Sequence, residues 1–158
     1  MIKNGRDVLR LTVLCAALLV AAAAGAKDTT LYLSHPDAVD GATLQDGKGT
    51  MFRVFAISPP QDERICIEAT MQVACTEKAR DVLELYASSF LTCMRMGLYE
   101  DMEAVRCRDF QGRDIGARMV RTGWALPDRS IGDQYIFEEI EAEALGQGIW
   151  RREISSAQ

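Results

Sequence analysis

The run Met51 to Gln61, reading Met-Phe-Arg-Val-Phe-Ala-Ile-Ser-Pro-Pro-Gln, sets one arginine in an otherwise apolar stretch. If extended, it places Phe52, Val54 and Ala56 on one face and Arg53, Phe55 and Ile57 on the other. Pro59 and Pro60 then stop sheet pairing and aim the residues that follow out of the strand end. An arginine held in a buried strand beside a rigid turn is suited to grip an anionic group. Whether hydrolysis could accompany that grip depends on the positions just after Ile57, which are Ser58, Pro59, Pro60 and Gln61.

The other chemically able residues are few. The only histidine, His35, stands beside Pro36 and Asp37 and reads as a solvent-facing turn residue rather than a catalyst. Beyond Cys15, the chain has Cys66, Cys75, Cys93 and Cys107. No Cys-x-x-Cys spacing occurs and His35 lies far from the cysteines, so a zinc site is disfavoured. An even cysteine count in an oxidising compartment reads as two disulfides, and spacing alone leaves three pairings open. The preferred pairs are Cys66–Cys75, closing a loop before a helix, and Cys93–Cys107, joining neighbouring strands. Trp124 and Trp150 read as core or cap residues rather than stacking platforms.

Secondary-structure patterns supply the frame. Thr30 to Ser34 reads as a first strand and Ala38 to Gln45 as a second. Asp46-Gly47 with Lys48-Gly49 is a hairpin signal into a third strand that contains Arg53. A polar loop from Gln61 to Glu63 leads to the Cys66–Cys75 segment. Thr76 is the expected N-cap of a helix from about Glu77 to Ala87, which buries Ala79, Val82, Leu83 and Tyr86. Phe90 to Met96 and Glu103 to Arg108 read as the fourth and fifth strands. Asp114 should cap a second helix with Ile115, Met119 and Val120 inward, ending at Gly123. Gln134 to Leu145 should be a third, with Phe137, Ile140 and Ala144 inward and Glu138, Glu139, Glu141 and Glu143 solvated. This order predicts an α+β, mainly β domain: a five-stranded Greek-key OB-fold barrel with three packed helices.

The N-terminus has the marks of a secretory signal peptide over residues 1–26. Lys3, Arg6 and Arg10 precede an apolar run from Leu11 to Ala24, and Ala24-Gly25-Ala26 offers small residues for cleavage. The run is short and alanine-rich for a membrane span, and Leu14 before Cys15 argues against a lipoprotein. Residues 27–158 would then form one domain in the periplasm or outside the cell, with no stable membrane span. Losing a leader with three basic residues and one acid takes the net charge from −5 to −7. That balance disfavours nucleic acid as a general partner, although Arg106, Arg108, Arg113, Arg118 and Arg121 are candidates for a local cluster.

Several stretches together resemble one family. Val39-Asp40-Gly41-Ala42-Thr43-Leu44 is similar to its Val-Asp-Gly-Asp-Thr-Leu strand. Arg53 to Gln61 is similar to its Arg-Leu-x-Gly-Ile-Asp-Ala-Pro-Glu strand and turn. Met119-Val120-Arg121-Thr122-Gly123-Trp124-Ala125 resembles its Leu-Val-x-x-Gly-x-Ala helix end, and Gly148-Ile149-Trp150 its terminal Gly-Leu-Trp. This is the thermonuclease, or staphylococcal-nuclease-like, family, and the resemblance runs from about Tyr32 to Arg151. It implies an OB-fold and, in active members, calcium-dependent cleavage of DNA and RNA. The resemblance also implies a site of carboxylates for calcium, a glutamate near the attacking water and two arginines on the phosphate.

Carried over residue by residue, that site is degenerate. Arg53 keeps the first arginine position and Asp40 an outer acidic one. The metal-ligating aspartates are replaced by Ala42 and Ser58, and the general-base glutamate by Gln61. Gln111-Gly112-Arg113 resembles the family's Tyr-Gly-Arg but lies only six residues before Met119. Counting places the second arginine at Met102 or Glu103 instead. Loss of a general base typically costs about 10²–10⁴-fold, and loss of the metal removes a further electrostatic contribution. The expectation is an exported module that binds or scaffolds, with no cofactor, whose partner is an anionic ligand or a periplasmic protein. The alternative is a divergent calcium-dependent endonuclease using a rival carboxylate set such as Asp40, Asp46 and Asp62.

Overall fold

The computed structural model describes residues 29–61, 65–68 and 71–151. The expected leader and Asp62 lie outside them. The main sheet has six strands: β1 (Thr30–Ser34), β2 (Asp37–Asp40), β3 (Thr43–Gln45), β4 (Met51–Val54), β8 (Phe90–Tyr99) and β9 (Met102–Arg108). Two short pairs accompany it. One joins β5 (Ile57–Ser58) to β10 (Leu126–Pro127), and the other joins β6 (Ile65–Glu68) to β7 (Met71–Ala74). Among the described residues there are three helices, α1 (Cys75–Ala87), α2 (Ile115–Arg121) and α3 (Ile136–Leu145), with a 3₁₀ turn at Gly148–Trp150.

The α+β, strand-rich class agrees with the patterning, but the sheet departs from a closed five-stranded barrel. Its order is β1-β8-β9-β4-β3-β2, an open sheet whose two edges, β1 and β2, are consecutive in the chain. The expected strand from Ala38 to Gln45 is two strands, because the chain turns at Gly41 and Ala42. A Cβ on Gly41 would stand 2.7 Å from the Ala79 Cβ, so only glycine lets α1 approach this turn. The edge at β2 is covered by α1, where the Glu84 carboxylate accepts from the Ala38 N–H. Leaving that amide unpaired would expose a pairing edge.

The hairpin between β3 and β4 forms where Asp-Gly announced it. The Asp46 side chain accepts from the Lys48 and Thr50 N–H groups, and its backbone carbonyl accepts the turn bond from the Gly49 N–H at 2.9 Å. The β8–β9 hairpin turns at Glu100 and Asp101, both left-handed at φ 48° and 65°, as a two-residue turn matched to strand twist requires. β8 runs three residues further than its pattern implies, since Gly97, Leu98 and Tyr99 still pair with β9 beyond a bulge at Met96. Between Gln61 and α1, a hairpin stands where a loop was expected. Both preferred disulfides are present. Cys93–Cys107 links residues directly opposite in β8 and β9, and Cys66–Cys75 ties β6 to the first residue of α1. Two disulfides fit an oxidising, extracytoplasmic environment. No helix among the described residues is long and apolar enough to cross a membrane.

The core lies between the sheet and α1 and α2. Leu33, Leu44, Phe52, Val54, Leu91 and Val105 from the strands meet Leu83, Ile115, Met119 and Val120 from the helices. The helix stripes of α1 and α2 point inward as their 3.6-residue spacing demands. Asp114 caps α2, accepting from the Ala117 N–H at 3.1 Å. Thr76 does not cap α1; the helix starts earlier, at Cys75, with Ala74 at the cap and no side-chain bond. The disulfide fixes Cys75 there and β7 delivers the chain directly into the helix.

α3 overturns an expectation outright. Phe137 is 85% exposed and Ile140 55%, and Ala144 also faces solvent, whereas Ala142 is fully buried and the Glu139 side chain is only 13% exposed. Specific anchors fix this rotation. Tyr135, left-handed at φ 66° and buried against Gly116, donates its hydroxyl to Asp114 at 3.0 Å. Arg106 binds the same carboxylate at 2.6 Å, while Arg121 reaches Glu138 and Glu141, and Arg129 reaches Glu139.

The chain after α3 returns across the end of α2 at backbone contact distance. A Cβ on Gly123 (φ +72°) would lie 2.2 Å from the Gln147 carbonyl oxygen, and one on Gly148 (φ +52°) at 2.2 Å from the Gly123 oxygen. The Ile149 N–H closes this crossing on Gly123 at 2.9 Å. Gly123→Ala therefore combines left-handed strain with a backbone clash, and should lower unfolding stability by about 2–4 kcal/mol. Urea denaturation checks this; Gly47→Ala, where a Cβ meets nothing within 4 Å, should change it little.

Candidate functional site

Arg53 leaves the outer side of β4, opposite Thr43 on one neighbour and Ala104 on the other. The chain cannot continue straight beyond Val54. Phe55 donates its N–H to Val105, and Ala56 then turns left-handed at φ 60°. For a residue with a Cβ this conformation costs about 1–2 kcal/mol. The turn breaks the simple alternation expected of the stretch, so Ile57 is buried rather than sharing the Arg53 face. It also aims the Ala56 carbonyl at the Asp128 N–H, a 2.9 Å bond that places Asp128 next to the arginine.

The guanidinium is 16% exposed and surrounded by groups of this chain. Its NH2 donates to the Ile57 carbonyl at 3.2 Å and its NH1 to the Thr43 hydroxyl at 3.4 Å. Asp40 Oδ1 lies 4.0 Å from NH1, and the Tyr99 ring covers the guanidinium carbon at 5.6 Å from its centroid. Nε is buried with no hydrogen-bond partner among the described residues. Arg53, Phe55, Tyr99, Asp128 and Ile131 close around a gap too tight for a water molecule.

Asp128 completes the arrangement. Burial pushes its carboxyl up. The Ser130 hydroxyl at 2.6 Å, the Tyr99 hydroxyl, the Ser130 N–H at 2.9 Å and the charge of Arg53 outweigh that and hold it below the ordinary carboxylate range. The same hydrogen bond raises the Tyr99 phenol, with burial adding to it. Asp128 is thus an anion in the folded protein, and Arg53 feels two carboxylates, Asp40 and Asp128.

The positions at which the family resemblance implies metal ligands do not form a calcium site. Ala42 is fully buried, and its N–H donates to Asp40 Oδ1 at 2.7 Å. The Thr43 hydroxyl occupies Asp40 Oδ2 at 2.9 Å. Ser58 offers one hydroxyl from β5, and Gln61 lies exposed beyond the buried Pro60. Calcium takes six to eight oxygen ligands, and this set does not fit it. Asp46 is committed to its own hairpin.

Neither position to which counting assigns the second arginine is basic. Met102 sits at the β8–β9 turn, and Glu103 pairs with Arg95. Arg113 is tied to Asp109 at 2.7 Å, and Arg118 reaches the same carboxylate at 3.2 Å while stacking 3.7 Å over Tyr86. Burial pushes Asp109 up, but the bonds from Arg113 and Gln111 prevail and keep it low. No basic patch forms from the five arginines named above: four of them pair with carboxylates, and Arg108 bonds the Gly112 carbonyl.

Sequence reasoning brought Arg53 and Asp40 together and missed Tyr99 and Asp128. The Leu-Pro-Asp-Arg-Ser run signals a local Asx turn at Asp128, but nothing in it points to a partner more than seventy residues earlier. Compared with models of known protein families and with curated protein sequences, the chain matches none.

Asp128→Asn should be less stable than the parent by about 1–3 kcal/mol at neutral pH, since it removes a charged acceptor from Ser130, Tyr99 and Arg53. Because the folded value lies below the unfolded one of about 3.9, this stabilisation is complete above that value and is lost as pH falls through the folded one. Chemical denaturation across pH should show the two proteins converging in that acidic window.

Proposed function

We propose that this chain is an exported, OB-type module of thermonuclease-like descent that binds or scaffolds and does not hydrolyse phosphodiesters. The observation that carries the reading is the internal neutralisation of Arg53. The one arginine retained at a phosphate-gripping position already faces Asp40, Asp128, the Ile57 carbonyl and the Tyr99 ring. A phosphate would have to approach Arg53 in the presence of two carboxylates, Asp40 and Asp128, against like-charge repulsion.

The OB reading draws support from the sheet edges. If Thr30 to Asp40 is taken as one bent strand, its first half pairs with β8 and its second with β3, the connectivity of a barrel wall. The two disulfides and the apolar leader support a periplasmic or secreted site of action. The scattered pairing of the arginines supports a partner that is not a nucleic acid.

Purified protein, incubated with heat-denatured DNA or RNA in millimolar calcium, should cut neither substrate, with or without chelator. Arg53→Ala should instead reveal a structural role. It should lower unfolding stability by about 1–3 kcal/mol by leaving two carboxylates without their cation. Calcium-dependent cutting that Arg53→Ala abolishes would replace this reading with the divergent endonuclease.

A further inference from the structure

From the outer face of α3 we infer a docking surface for a basic amphipathic segment of a partner protein. Phe137, Ile140 and Ala144 fall in one stripe at i, i+3 and i+7, and all three face solvent. Leu145, 64% exposed, extends it at the C-terminal end. The opposite face buries Ala142 and most of Glu139. The helix therefore shows water its most apolar face and the protein its less apolar one, the reverse of an ordinary surface helix.

This orientation is held in place rather than loose. Tyr135 locks the first turn onto Asp114, and Arg121 and Arg129 hold Glu138, Glu139 and Glu141. The helix cannot roll to hide Phe137 without breaking those bonds. A rigid apolar stripe rimmed by polar residues marks a protein-binding surface.

Charge selects the occupant. Glu141 and Glu143 flank the stripe on its two sides, and Asp133 precedes the helix. Of the carboxylates on and just before α3, Glu138 and Glu141 are held by Arg121 and Glu139 by Arg129, which leaves an acidic excess at Glu143 and Asp133. Glu143 and Asp133 make no ion pair among the described residues. This excess repels an anionic membrane surface and opposes a second copy packing α3 on α3. It attracts a helix or strand that pairs an apolar row with lysines and arginines. The surface uses no residue of the Arg53 cluster. It gives the scaffold reading a partner, and it is tested by a readout that the nuclease assay does not share.

The probe is a synthetic peptide with leucines at i, i+3, i+4 and i+7 and lysines and arginines elsewhere, beside a copy with glutamates in place of the basic residues. Backbone-amide NMR of the mature protein should place the shifts on α3, with affinity for the basic peptide falling as salt rises. Phe137→Ala should weaken binding by about tenfold or more, and Glu143→Lys should weaken it and flatten the salt dependence. Both positions are solvent-facing, so Tm should stay within a few degrees of the parent. The inference is overturned by equal binding of the two peptides, by no binding, by shifts away from α3, or by unchanged affinity in Phe137→Ala. Self-association through α3 that Phe137→Ala disperses would also overturn it, by making a second copy the occupant.

Discussion

A cation brought most of the way out of water must be met by anions and acceptors. Arg53 imposes that condition on this fold. Its partners come from five separate places: Asp40 at the end of β2, Thr43 at the start of β3, Ile57 in β5, Tyr99 at the end of β8 and Asp128 just after β10. Two of those elements, β5 and β10, have only two residues each. Two-residue strands have little pairing of their own to hold them. The ionic and hydrogen-bonded cluster gives their positions a reason, and the left-handed turn at Ala56 is the backbone conformation that lets them converge.

The same logic governs the helical side. Asp114 caps α2, binds Arg106 and accepts from Tyr135, so one carboxylate joins β9, α2 and the start of α3. Asp109 joins Arg113 to Arg118 beside it. These buried acids are each satisfied by several donors, which makes them specific in direction in a way apolar contact is not. Where such anchors and hydrophobicity disagree, as in α3, the anchors set the rotation. An apolar stripe left outside by that choice is available for a partner.

The family resemblance was visible only as short motifs, and the match to the fold is accordingly uneven. Val39 to Leu44 and Arg53 to Gln61 placed Asp40 and Arg53 in register, because strand pairing across one tight hairpin is a local matter. That Ala42 and Ser58 carry no carboxylate is plain from residue type alone. The bond from Arg113 to Asp109 was not visible in the spacing that set Arg113 apart from the resemblance.

The sequence by itself determined the strand-rich class, the hairpin at Asp46-Gly47, the inward faces of α1 and α2 and the absence of a carboxylate at positions 42 and 58. Each of these follows from local periodicity, turn residues or residue type. Only the tertiary structure decided the open six-stranded order, the meeting of Arg53 with Tyr99 and Asp128, and the outward face of α3. Those depend on contacts between residues distant in the chain. A single buried carboxylate or a left-handed residue there outweighs the periodic signal that a sequence displays.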